Sequence, residues 1–121
     1  MKSNQEILDN FGKLVIQKAF DRNYRTIVNA SIEQINQTEN YRHLFSKIDK
    51  DMKADLEKYT FNLLSGFLFN ILNIFEEDDE YKIYFEENNQ EVNLVEISDM
   101  LKAEPIIENG WIERFSEVKK G

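Results

Sequence analysis

Cysteine is absent from this chain of 121 residues, and histidine occurs once, at His43. Without thiols, the chain has no disulfide, no thiolate metal ligand and no thiol nucleophile. A single histidine cannot form a histidine metal cluster, and no nucleophile accompanies His43 to suggest a general base. We therefore assign no catalytic, metal-binding or cofactor-binding residue. The lack of cysteine agrees with a reducing compartment.

Glycine and proline are also scarce, with four glycines and one proline. The glycines stand far apart, at Gly12, Gly66, Gly110 and Gly121, so no glycine-rich loop is available to bind phosphate groups. This excludes the nucleotide-binding enzymes that depend on such loops. An enzyme that uses carboxylates alone stays open as a minor alternative, although no partner group distinguishes any pair among the 23 acids.

No segment is apolar over the length of a membrane span. The longest apolar stretch, Phe61–Phe75, has 15 residues and is interrupted by Asn62, Ser65, Asn70 and Asn73, whereas a bilayer requires about 20. The first residues lack the apolar core and cleavage site of a signal peptide. We therefore expect a cytoplasmic protein without a membrane partner.

Positive charge is scarce only at the C-terminal end of the chain. Residues 1–75 contain 10 Lys/Arg and 9 Asp/Glu, whereas residues 76–121 contain 5 and 14, so the last 46 residues have a net charge of −9. The change begins with an acidic run of Glu76, Glu77, Asp78, Asp79 and Glu80. A chain at −8 overall is unsuited to nucleic acid. The asymmetry instead predicts a basic protein partner.

Residues 1–75 have the periodicity of helices. Ser3 and Glu6 form a capping-box pattern, and apolar residues then recur at spacings of three and four over Ser3–Gln37. One long helix fits this pattern, and so do two helices in tandem that are separated at residues 21–23. A short helix follows over residues 41–48, and Asp49 or Asp51 then caps a helix that ends at Phe75.

The helix that ends at Phe75 is apolar nearly all round in its second half. Such a helix is either central to its own core or buried against a second chain. The second case predicts a structural homo-oligomer that packs through residues 61–75.

Beyond the acidic run, apolar residues alternate with polar ones over residues 81–86 and 92–97, on either side of a polar turn at residues 87–90. This pattern predicts a β-hairpin. Residues Trp111–Phe115 fit a third strand or a terminal helix, and we favour the strand because a lone hairpin is only marginally stable. The sequence thus predicts a single α+β domain over residues 1–121. It has an N-terminal bundle of about three helices and a small antiparallel sheet at the C-terminal end.

The candidate partner-binding surface combines the acidic run with the hairpin. If Tyr81, Ile83 and Phe85 face the core, the intervening Tyr84 points outward. An outward aromatic side chain among acids is typical of a binding surface. The predicted surface comprises Glu76, Glu77, Asp78, Asp79, Glu80, Tyr84, Glu86, Glu87 and Trp111. Two alternatives stay open. The acidic run is then only a solvated linker, or Tyr84 packs on the helix and Trp111 lies in the core.

The leading functional hypothesis is a small acidic interaction or inhibitor protein that binds a basic partner through its C-terminal third. In general character the chain resembles bacterial immunity proteins and antitoxins, which are short, acidic and free of catalytic motifs. No residue pattern connects it to one such family. The homo-oligomer without catalytic activity is the alternative.

Overall fold

The computed structural model describes residues 1–118. The chain forms helices α1 (Asn4–Val15), α2 (Asp21–Val28), α3 (Ile32–Asn36), α4 (Arg42–Phe45) and α5 (Lys50–Glu77), with a π-helical segment (Ile16–Phe20) between α1 and α2. Strands β1 (Tyr84–Glu87) and β2 (Gln90–Asn93) follow, and then α6 (Leu94–Ile97), a 3₁₀ turn (Leu101–Ala103) and α7 (Trp111–Phe115). The α+β class and the helical N-terminal region are confirmed.

The capping box at the start of α1 is present as predicted. The Glu6 backbone N–H donates to Ser3 Oγ, and the Ser3 backbone N–H donates to Glu6 Oε1, both at 3.1 Å. The backbone stays helical through residues 21–23, so of the two alternatives the structure has the one without an interruption at that point. The break falls at residues 29–31, where Ser31 and Gln34 form a second capping box that begins α3.

The π-helical segment keeps one face of this long N-terminal helix against the core. Five of its buried residues recur at intervals of four, at Leu8, Gly12, Ile16, Phe20 and Tyr24. In a regular α-helix a spacing of four drifts around the axis by about 40° at each step. The wider π turn takes up that drift between Ile16 and Phe20.

Helix α5 begins at the predicted cap, since Asp49 Oδ1 accepts the Met52 backbone N–H at 2.9 Å. One side of the helix faces the core through the buried Leu68 and Leu72. Phe61 lies in edge contact with Phe20, with ring centroids 5.6 Å apart. The apolar core therefore lies between α5, the N-terminal helix and the C-terminal segment.

The sheet is a two-stranded antiparallel hairpin, in which Tyr84 pairs with Asn93 and Glu86 with Glu91. Asn88 and Asn89 both have positive φ, 53° and 64°, as a two-residue type I′ turn requires. The second strand ends earlier than predicted because the Asn93 side chain accepts the Val95 backbone N–H and begins α6.

The predicted third strand is wrong, because Trp111–Phe115 forms helix α7. Trp111 and the adjacent Ile112 are both buried, whereas a strand would point neighbouring side chains to opposite faces. The hairpin is supported by the helices instead, since Phe85 and Val92 pack against the apolar core. This packing supplies the stability that a third strand was expected to give.

Candidate partner-binding surface

The acidic run divides into one residue held within the fold and four that are exposed. Glu76 Oε1 accepts the Lys102 backbone N–H at 2.8 Å, and Glu76 Oε2 lies 3.6 Å from Lys102 Nζ. Glu77, Asp78, Asp79 and Glu80 are exposed. Glu76 therefore anchors the C-terminal segment to α5, and only the remaining acids of the run are available to another molecule.

Glu87 connects the hairpin to the start of the chain. Its carboxylate accepts the Lys2 backbone N–H at 3.0 Å and the Lys2 ammonium at 3.2 Å. The backbone hydrogen bond, then the side-chain hydrogen bond and the nearby positive charges, lower the pKa of Glu87. This carboxylate is already engaged by a cation of the same chain.

This engagement predicts a pH dependence of stability. Folding lowers the pKa of Glu87, so its ionised carboxylate stabilises the folded state. This contribution to the free energy of unfolding is present above the ordinary pKa of 4.5, and it is lost as the pH falls through the folded-state pKa. We expect Glu87→Gln to lower the urea midpoint at about pH 7 and to lower it less at about pH 3, because the carboxylate is increasingly protonated as the pH falls. A midpoint difference that is the same at both pH values would contradict the contact.

Trp111 does not belong to the surface, and its assignment there is corrected. The side chain has 0% exposure. Its indole lies edge-on to Phe11, with ring centroids 5.8 Å apart, and against Gly12 of α1. Helix α7 turns this side chain inward, so a partner cannot reach it.

The outward face of the hairpin brings together Tyr84, Glu86 and Glu91. Tyr84 is 50% exposed, and both glutamates are exposed. Glu86 and Glu91 are directly opposite each other across the two strands, an arrangement that is unfavourable for like charges. Among residues 1–118, neither carboxylate forms an ion pair with a cation.

Glu91 was missing from the predicted surface, although the sequence contained a signal for it. A turn at residues 87–90 places residue 86 opposite residue 91, so the predicted turn already implied this pairing. The register therefore identifies the residue that periodicity alone did not.

A small apolar pocket lies between α1 and the hairpin, and Tyr84 is the one residue of the outward face that lines it. Its volume is about 170 Å³, comparable with one large side chain. It is lined by Ile7, Asn10, Phe11, Leu14, Ile83, Tyr84, Phe85 and Leu94. Tyr84 thus belongs both to the pocket and to the acidic strand face.

A larger groove of about 810 Å³ runs between α5 and the C-terminal segment. Phe61, Phe69, Pro105, Ile106 and Ile112 supply apolar walls, and Ser65, Gly66, Asn70, Glu113 and Ser116 complete the lining. None of the predicted surface residues lines this groove. Within residues 1–118, no three or more His, Asp or Glu side chains are grouped as metal ligands would be.

The described helices include none with the length and apolar character to cross a bilayer. No known protein family matches the chain, and comparisons with curated proteins and with solved structures find no match either.

Proposed function

We propose that the chain is a non-catalytic cytoplasmic protein that binds a basic protein through the outward face of its hairpin. In this role it would act as an immunity protein or an antitoxin does, by occupying a cationic site on its partner. The surrounding acids, Asp79 and Glu80 among them, would attract such a partner and disfavour acidic competitors.

The position of Tyr84 is the observation that carries the proposal. Tyr84 lines an apolar pocket of about the size of one side chain, and it shares the outward strand face with Glu86 and Glu91, which pair with no cation among residues 1–118. An aromatic side chain that lies between a pocket and a charged rim is typical of a binding hot spot. A lysine or arginine side chain of the partner suits both parts, because its apolar stem fills a pocket while its charged end meets carboxylates.

A pair of charge-reversal variants tests the proposal. Immobilised wild-type protein is expected to retain a basic protein from a lysate of the source cells at about 50 mM salt and to lose most of it at about 500 mM. Glu86→Lys with Glu91→Lys should abolish capture, because cations would then face the partner's cations. The matched control is Glu33→Lys with Glu39→Lys, two exposed acids outside the surface.

The control has the same change in net charge, so it separates a local surface from a general effect of charge. We expect the control to retain the same protein as the wild type. Equal loss in both double variants, or a captured protein that is itself acidic, would contradict the proposal.

A further inference from the structure

Helix α5 carries a long apolar stripe on the side that faces away from the core. Tyr59, Leu63 and Phe67 are 64%, 58% and 62% exposed. The exposed members of the stripe are Met52, Tyr59, Leu63, Phe67, Ile71 and Ile74. Their spacings of three, four and seven hold them along one side of the helix over about 33 Å. An exposed stripe of this length marks a surface that another molecule covers.

Five of the six stripe residues are arranged symmetrically about Leu63, and Ile71 is the exception because its counterpart is Asp55. Tyr59 and Phe67 lie four residues to either side, and Met52 and Ile74 lie eleven to either side. A second α5 placed antiparallel across the first would therefore pair Leu63 with itself, Tyr59 with Phe67 and Met52 with Ile74. A self-complementary surface of this kind is what a two-fold dimer requires.

The size of the stripe is sufficient for a dimer. At their observed exposures, the six side chains offer on the order of 600 Å² of mainly apolar surface per chain. Two copies would together bury about 1,200 Å² of this surface, without any contribution from flanking residues. This area lies at the lower end of the range for specific protein–protein interfaces.

The charges at the two ends of α5 favour the antiparallel arrangement. Glu77 and Asp78 stand at the carboxyl end of the helix, where the helix dipole disfavours anions, and the last turn contains no basic residue. At the other end, Lys47 and Lys50 are exposed and form no ion pair within residues 1–118. Antiparallel pairing about Leu63 brings the amino end of α5 in one copy, with Lys47 and Lys50, near the carboxyl end of α5 in the other, with the exposed Glu77, Asp78 and Asp79.

We infer that α5 is the dimer interface of this protein, with a second copy of the chain seated antiparallel on the stripe. The interface uses none of the outward hairpin residues Tyr84, Glu86 and Glu91. The inference is therefore independent of the proposed binding of a basic partner, and either can fail alone.

Sedimentation equilibrium of the full chain tests the dimer. We expect a mass of twice 14.4 kDa for the wild type at about 100 μM. Leu63→Lys should raise the dissociation constant at least about 100-fold, because it places two ammonium groups against each other at the centre. Leu14→Lys is the control, since Leu14 is similarly exposed on α1 and lies outside the stripe. Circular dichroism verifies that both variants remain folded.

Charge reversal at the two ends tests the orientation. Lys47→Glu with Lys50→Glu should weaken the dimer by about tenfold, and Glu77→Lys with Asp79→Lys added to the same chain should restore it. A wild-type monomer at about 100 μM, including one whose stripe binds a different protein, would overturn the inference. A dimer that Leu63→Lys leaves intact would overturn it as well.

Discussion

Replacing Gly12 by alanine is expected to destabilise the fold by about 2 kcal/mol or more, although alanine is the better helix former. A Cβ atom at this position would lie 2.5 Å from Cδ1, Cδ2 and Cε2 of the Trp111 ring. Trp111 is fully buried and cannot move aside without displacing its neighbours. The cost of this overlap exceeds the gain in helix propensity of about 1 kcal/mol.

Gly66 supplies the matched control, because it also lies inside a helix. A Cβ atom there would meet no other atom within 4 Å, so Gly66→Ala should stabilise the fold by about 0.5–1 kcal/mol. Urea unfolding of the two variants should show midpoint shifts of opposite sign. A stabilising effect of Gly12→Ala would contradict the close approach of α1 and α7.

Asp21→Ala is expected to lower the free energy of unfolding by about 3 kcal/mol. Asp21 has 0% exposure, and its carboxylate accepts the Ser116 hydroxyl at 2.6 Å and the Glu117 backbone N–H at 2.9 Å. These two bonds attach the segment after α7 to the start of α2. Their loss would leave the buried Ser116 hydroxyl without its carboxylate acceptor.

A double-mutant cycle with Ser116→Ala measures this connection. We expect Ser116→Ala to be less destabilising than Asp21→Ala, because the bond from Glu117 remains. We also expect a coupling energy of at least about 1 kcal/mol. Asp55→Ala removes an exposed acid of α5 and serves as the control. Its free energy of unfolding should stay within about 0.5 kcal/mol of the wild-type value. If the losses of unfolding free energy caused by Asp21→Ala and Ser116→Ala simply add in the double variant, the hydrogen bond between the two side chains is contradicted.

The parts of the fold that were predictable are those fixed by local chemistry. The caps at Ser3 and Asp49 depend on residues three positions apart, and the hairpin depends on alternation around an asparagine turn. Helix α7 was not predictable in this way, because the pattern of its five residues, Trp111–Phe115, fits a strand as well as a helix. Its form is decided by the contact of Trp111 with Phe11 and Gly12, about 100 residues away in sequence.

The exposure of Tyr84 and of most of the acids was predictable from the sequence, but the ion pairs that engage Glu76 and Glu87 were not. Composition indicated an acidic end of the molecule, and alternation indicated an outward Tyr84. Neither pattern indicated that Lys102 pairs with Glu76 or that Lys2 pairs with Glu87. Such pairings join distant parts of the chain, so they follow from the tertiary structure and not from local sequence.

The central claim is that the hairpin face receives a basic partner, and the rate of association with that partner tests it most directly. For the wild type, we expect an association rate constant that falls at least about tenfold between about 50 mM and 500 mM salt. The charge-reversed Glu86→Lys, Glu91→Lys protein should associate more slowly and lose most of this dependence. Equal rate constants with equal salt dependence in both proteins would contradict the claim.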